Sequence, residues 1–211
     1  MNTTSASEVR GDAPRSEAKK GAGLLFIVSA PSGAGKSTLC RRLRQHFHDL
    51  AYSVSHTTRA PRPGEIHGSD YFFISREEFE AGIHAQRWAE WAQVHGNYYG
   101  TSALEIQGAL TAGKIVLMDI DVQGTRQIKR RFPQSVAVFV MPPSLAELET
   151  RLRKRGSDGE QVIALRLKNA LEEMAQKDFY DHVIVNDDLE EASSRLIGLV
   201  HQCRSTGEAA N

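Results

Sequence analysis

The stretch GLLFIVSAPSGAGKST, residues 23–38, sets the fold class. It opens as a short, almost continuous apolar run, the pattern of a strand buried on both faces. A glycine-rich turn follows. TLCRRLRQHF, residues 38–47, then places Leu39, Leu43 and Phe47 at helical spacing. Between strand and helix lie Ala30, Pro31, Ser32, Gly33, Ala34, Gly35, Lys36, Ser37 and Thr38, which match the pattern G-x-x-x-x-G-K-[ST] except for Ala30 at the first glycine. Glycines in such a turn let backbone N–H groups point inward at phosphate oxygens, and the helix that follows directs its positive end there. Lys36 supplies a point charge for the β- and γ-phosphates, and Ser37 a hydroxyl for Mg²⁺. A chance glycine turn would not require Lys-Ser at that place, nor this strand and helix around it. The motif alone implies ATP or GTP binding, and Ala30 implies a position with ordinary φ.

Outward from this loop, KIVLMDID (114–121), VAVFVM (136–141) and HVIVN (182–186) read as further buried strands. SLAELETRLRKRG (144–156) begins with a capping box, Ser144 and Glu147, and ends at Gly156. Residues 160–177 and 189–202 read as two more helices. Strands alternating with helices imply an α/β fold with a mainly parallel sheet. Residues 53–105 break the rhythm with Gly, Tyr, Trp and Pro and with short alternating stretches, and read as an inserted, partly β lobe. The core is then 23–52, 106–150 and 170–202. Residues 1–22 are polar, small and without periodicity, the pattern of a disordered tail.

Composition removes several classes. The 211 residues hold 26 Lys plus Arg against 26 Asp plus Glu. That balance argues against bulk binding to nucleic acid or an anionic membrane. No apolar run approaches the roughly 20 residues of a spanning helix. Two cysteines, Cys40 and Cys203, fit small buried hydrophobes in a reducing, cytoplasmic setting. The eight histidines show no zinc-ligand spacing with them.

Two constellations in the inserted lobe carry chemistry. In SHTTRAPRPGEIHGSDYFF (55–73), Arg59 and Arg62 stand three apart among prolines, a preorganised fork for a phosphate, with Tyr71 as a further donor. The plainer reading of the arginines alone is a solvated basic turn. In WAEWAQVHGNYYGT (88–101), Glu90 lies between two tryptophans. One ionised carboxylate can accept both N1–H and N2–H₂ of guanine, a donor pair that adenine lacks. The alternative is an exposed strand residue beside core tryptophans. Asp119 and Asp121 close a buried strand two residues apart, hence on one face, at the carboxyl edge where α/β sheets bind ligands. Capping of the next turn is compatible with that role.

These motifs resemble the bacterial guanylate kinase family over roughly residues 23–200. Thr57, Thr58, Arg59, Arg62, Glu65, Gly68, Tyr71 and Phe73 reproduce a family signature, and EWAQVHGNYYGT and SAPSGAGKST are typical of it. The resemblance implies a P-loop NTPase-type parallel sheet with flanking helices, a GMP-binding lobe at 53–105 and a helical lid at 151–169. It implies ATP and GMP as partners, Mg²⁺ with the ATP, and transfer of the γ-phosphoryl to give ADP and GDP. It places Arg59, Arg62, Tyr71 and Tyr99 on the GMP phosphate, and Ser55, Glu90, Thr101 and Asp121 around the rest of GMP. Asp119 would orient Mg²⁺ through water, and Asn186 would lie near the adenine. Arg151, Arg155 and Arg166 would grip the transferring group, as part of a segment (150–168) with six basic and two acidic residues. The active cleft is expected to be strongly positive despite the neutral total.

Two other readings remain at this stage. A guanylate-kinase-like binding module would have lost phosphoryl transfer, although Lys36, Ser37, Glu90 and the lid arginines are present. A related kinase acting on another phosphorylated small molecule would have no use for Glu90 and Thr101. The chain is expected to act as a monomer or small homo-oligomer.

Overall fold

The structure, a computed structural model, describes residues 23–94, 96–154, 156 and 159–206. Five strands form a parallel sheet in the order β2-β7-β1-β8-β9: β1 (Leu24–Ser29), β2 (Leu50–Tyr52), β7 (Ile115–Asp119), β8 (Val136–Met141) and β9 (His182–Val185). The opening run explains itself here. Leu24, Phe26 and Val28 face one side of β1, while Leu25 and Ile27 face the other. Each side is covered by helices, so period-2 alternation puts apolar residues in a core whichever way they point.

One layer is α1 (Lys36–His46) with α7 (Leu189–Thr206), where Leu39, Leu43 and Leu196 pack on the sheet. The other layer is α3 (Ala103–Thr111) with α4 (Val122–Arg131), which contribute Ile106 and Ile128. Helices α5 (Leu145–Lys154) and α6 (Glu160–Met174) form a smaller apolar cluster of their own from Leu148, Leu152, Ile163 and Ala170. The Ser144 hydroxyl accepts the Glu147 N–H at 3.1 Å, as the capping pattern implies.

The segment between β2 and α3 builds a second sheet in the order β4-β3-β6-β5, from β3 (His56–Thr57), β4 (Phe72–Phe73), β5 (Trp88–Val94) and β6 (Asn97–Ser102). Helix α2 (Arg76–His84) lies within it, capped by Ser75, and carries Phe79 against Trp88 with rings 4.4 Å apart. Neither this helix nor the edge strand β2 shows in the sequence pattern, because nine and three residues fall short of the windows over which helical and strand periods are read. The helix expected over 160–177 stops at Met174 and passes into a 3₁₀ turn, Lys177–Phe179. Among the described residues, no helix is long and apolar enough to cross a membrane.

Candidate active site

The loop after β1 turns on two glycines in the left-handed region, Gly33 at φ 96° and Gly35 at φ 98°. Ala30 is buried and is not among the positive-φ positions, which explains why alanine fits where the pattern has glycine. Gly35 is the N-cap of α1, so Lys36 and Ser37 begin the helix where its unpaired N–H groups point. Lys36 ion-pairs with Asp119 from the end of β7, the two side chains being 24% and 13% exposed. Cys40 lies one turn deeper, and burial pushes its thiol up to about 12, so it is inert packing. Both cysteines are buried thiols.

Asn186, which the family likeness puts near adenine, has its side chain buried under the loop. Its amide donates to the Ala34 carbonyl at 2.7 Å. A Cβ at Gly35 would stand 2.2 Å from that same nitrogen. Gly35→Ala therefore combines left-handed strain with the loss of a buried hydrogen bond. Steady-state kinetics should show KM for ATP raised at least about tenfold, equivalent to roughly 1.4 kcal/mol of binding, with KM for GMP little changed. An unaltered KM for ATP would refute this account of the loop.

Across the cleft, Glu90 is 7% exposed. Trp88, Ala89 and Glu90 are buried in succession, although in a regular strand Trp88 and Glu90 would point to the same face. The register between β5 and β6 shifts between Trp88 and Glu90, and that irregularity turns the carboxylate inward while Trp88 stays in the lobe core. The Thr101 hydroxyl donates to Glu90 Oε1 at 2.6 Å, and the Ser55 hydroxyl is 3.4 Å from that of Thr101. Burial raises the Glu90 carboxyl to about 7; the Thr101 hydrogen bond opposes the shift and Asp121 adds to it. Trp91 points outward, its backbone N–H and carbonyl both bonded to the Gln127 amide of α4 at 3.0 and 2.9 Å. The lobe is thereby fastened to the helix that begins at Asp121.

Asp121 does not share a strand face with Asp119. The strand ends at Asp119, and Asp121 is the N-cap of α4, its carboxylate accepting the Gly124 N–H at 2.8 Å. A cap must leave the ladder to meet the helix N–H groups, which is why period-2 logic fails there. Gly124 in turn lies against Glu90, since a Cβ there would meet Oε2 at 3.2 Å. Asp121 and Glu90 thus reach the same region from different elements.

Arg59 lies over the rings of Tyr71 and Phe73 at 5.5 and 5.9 Å, and Tyr71 meets Tyr99 edge-on at 6.0 Å. Arg62 is exposed on the adjoining turn. Between lobe and core a small cleft of about 70 Å³ is lined by Ser55, Tyr71, Thr101 and Asp119, joined by Tyr52 and Asp70, which sequence reasoning did not single out. No pattern in the sequence marks those two, because folding alone brings them to the cleft.

From α6, Arg166 donates to the Ser32 hydroxyl at 2.9 Å. Arg151 bonds Glu147 at 2.9 Å and the Asn186 carbonyl at 3.2 Å. Arg166 therefore reaches the glycine-rich loop directly and Arg151 the Asn186 beneath it, whereas Arg153 is held by Glu149 and Glu160. Arg155 lies outside the described residues. The strongly positive cleft needs correction. Lys36 is paired with Asp119, Arg59 with Glu65, and Arg151 with Glu147. These cations are preorganised by carboxylates, because a bare cluster would repel itself and loosen its own geometry.

Similarity to known proteins gives the family. The guanylate kinase family model matches residues 23–202. The chain belongs to the guanylate kinase family. The guanylate kinase of Geobacter sulfurreducens is 49% identical over 185 residues, 87% of this chain and 91% of that one. The Salmonella typhi guanylate kinase is 52% identical over 176 residues, 82% of this chain and 85% of that one. A crystal structure of guanylate kinase from Anaplasma phagocytophilum superposes with a TM-score of 0.69 at 33% identity, covering 88% of each chain. As a guanylate kinase, the chain is an ATP:GMP phosphotransferase that gives ADP and GDP. The α/β class with a parallel, helix-flanked sheet is the one expected from the sequence.

Proposed function

We propose that Ala30–Thr38 hold the ATP phosphates, with Asn186 setting the loop from beneath, and that the cleft between the lobe and β7 holds GMP. Arg59, Arg62, Tyr71 and Tyr99 take the GMP phosphate. Glu90 takes the guanine N1–H and N2–H₂, Ser55 and Thr101 offer hydroxyls beside it, and Asp121 adds a further contact. The observation that carries this reading is the buried carboxylate of Glu90, turned inward with the Thr101 hydroxyl on Oε1. A buried carboxylate with acceptor capacity to spare suits a ligand that brings donors.

The attacking atom is a GMP phosphate oxygen, already ionised at neutral pH, so no strong general base is needed. Lys36 leaves Asp119 for the β- and γ-phosphates. Arg59 and Arg62 aim the acceptor oxygen in line with the γ-phosphorus. Arg151, Arg155 and Arg166, in a lid formed by 151–169, stabilise charge on the transferring group and exclude water. Mg²⁺ belongs to this reading. The Ser37 hydroxyl, on the helix turn beside Lys36, and the Asp119 carboxylate, which Lys36 already reaches, are hard oxygen donors suited to that ion. When bound there, the ion neutralises phosphate charge. Ser37 would hold it directly and Asp119 through water. We further read the chain as a cytoplasmic monomer or small homo-oligomer; the buried thiols of Cys40 and Cys203 support the compartment.

An ADP-release assay with ATP tests the reading, comparing GMP, AMP, IMP and ribose phosphates with and without Mg²⁺. GMP should exceed AMP by at least about 10³-fold in kcat/KM, as expected of a site built around substrate donors, and EDTA should abolish turnover. Comparable rates with AMP would overturn the guanine assignment, and full activity in EDTA would remove the metal.

A further inference from the structure

The turn between β3 and β4 contains a carboxylate that the mechanism above does not use. Glu65 Oε1 accepts from the Arg59 guanidinium at 2.8 Å, and Oε2 accepts the backbone N–H of Arg62 at 2.7 Å. The Glu65 N–H bonds back to the Arg62 carbonyl at 3.0 Å. Gly64, at φ 88° and with open space around it, provides the left-handed residue that this reversal requires. A single carboxylate therefore aims one arginine and closes the turn that presents the other.

The Arg59 side chain is held on several sides. Its Nη2 goes to Glu65, its Nη1 to the Ala60 carbonyl at 2.7 Å, and its plane lies over the ring of Tyr71. Tyr99 is a further hydrogen-bond partner, and a guanidinium has five N–H donors, so these contacts do not exhaust it. The Arg59 and Glu65 side chains are 15% and 20% exposed, so the pair is partly shielded.

We propose that Glu65 is the positioning residue of the GMP-phosphate fork: it sets Arg59 and the Arg62 turn before substrate arrives. This rests on the assignment of Arg59 and Arg62 to the GMP phosphate. Two effects of the carboxylate oppose each other. Its charge repels a phosphate dianion, and its hydrogen bonds hold the fork in shape. Glu65 bonds to the arginine and to the turn, one shell back from the phosphate, so its repulsion acts over a longer distance than the contacts it organises. Positioning therefore outweighs repulsion.

Kinetics of Glu65→Gln, Glu65→Ala and Arg59→Ala, with thermal melting of each, separate the cases. Glu65→Ala should raise KM for GMP about tenfold or more, the scale of one net hydrogen bond, while KM for ATP stays within about twofold. Glu65→Gln retains an acceptor oxygen and the side-chain length, so it should fall between Glu65→Ala and the parent protein. It also serves as the test if the alanine variant does not fold. If Arg59→Ala raises KM for GMP but both Glu65 variants leave it unchanged or lower it, Glu65 is only a counter-ion and the proposal fails. If both KM values rise together in the Glu65 variants, the role is general support and the proposal again fails. If Arg59→Ala itself leaves KM for GMP unchanged, the fork assignment is what fails, and the positioning role falls with it.

Discussion

Replacing Lys36 with alanine should lower kcat for GDP formation by about 10²–10³-fold, the usual cost of removing one preorganised charge from a reacting oxygen. The lysine starts α1 directly after left-handed Gly35, so its position is set by backbone geometry. In the substrate-free protein its charge is matched by Asp119. The same substitution therefore leaves a largely shielded carboxylate without its partner, and melting should fall as well. Lys36→Met, which keeps the alkyl stem, separates packing from charge. Both variants should lose kcat alike if the charge acts on the transferring phosphoryl. A loss of no more than about threefold, under 1 kcal/mol of barrier, would take Lys36 out of the mechanism.

The second large effect concerns Glu90. Glu90→Gln swaps one acceptor oxygen for a donor, which would face a donor of guanine. kcat/KM for GMP should fall about 10²-fold, the size of one charge-assisted hydrogen bond replaced by a donor clash, while AMP should gain or stay level. Selectivity for GMP over AMP would narrow in either case. The pH profile provides an independent check. Burial holds the Glu90 carboxyl near 7 in the folded protein, against an ordinary 4.5. Recognition of two donors needs the ionised form, so kcat/KM for GMP in the parent enzyme should decline as pH falls below about 7, and Glu90→Gln should lose that limb. Stability has the opposite sign. Between 4.5 and 7 the folded protein keeps a proton that the unfolded chain has lost, so stability decreases as pH rises through that window. Equal pH profiles for parent and variant would show that Glu90 is not the group titrating in GMP recognition.

Site and fold were legible to different depths. The glycine-rich loop after β1 was readable because its geometry depends on consecutive residues: two left-handed glycines and a lysine at a helix start are local demands. The buried strands were readable because period-2 burial on both faces leaves a continuous apolar run. Asp121 misled because a helix cap and a strand end look alike in a six-residue window, and only the Gly124 N–H distinguishes them. The inward turn of Glu90 depends on a register shift against β6, a property of two strands and not of one. Asn186 reaches Ala34 across 152 residues of chain, and Arg166 reaches Ser32 across 134.

The class of sheet, the glycine-rich loop and the family likeness are thus all written in short-range spacing, and the amino-acid order is enough to read them. The same order establishes the balance of 26 charges against 26. How those charges are used follows from packing alone. Packing placed Asp119 on Lys36 and Glu147 on Arg151, and it closed the Glu65 turn onto Arg59. Clustered cationic side chains repel one another, and fixed carboxylates hold them apart and aimed. Which acid serves which base is a matter of distance in space, and distance in space is set when the chain packs.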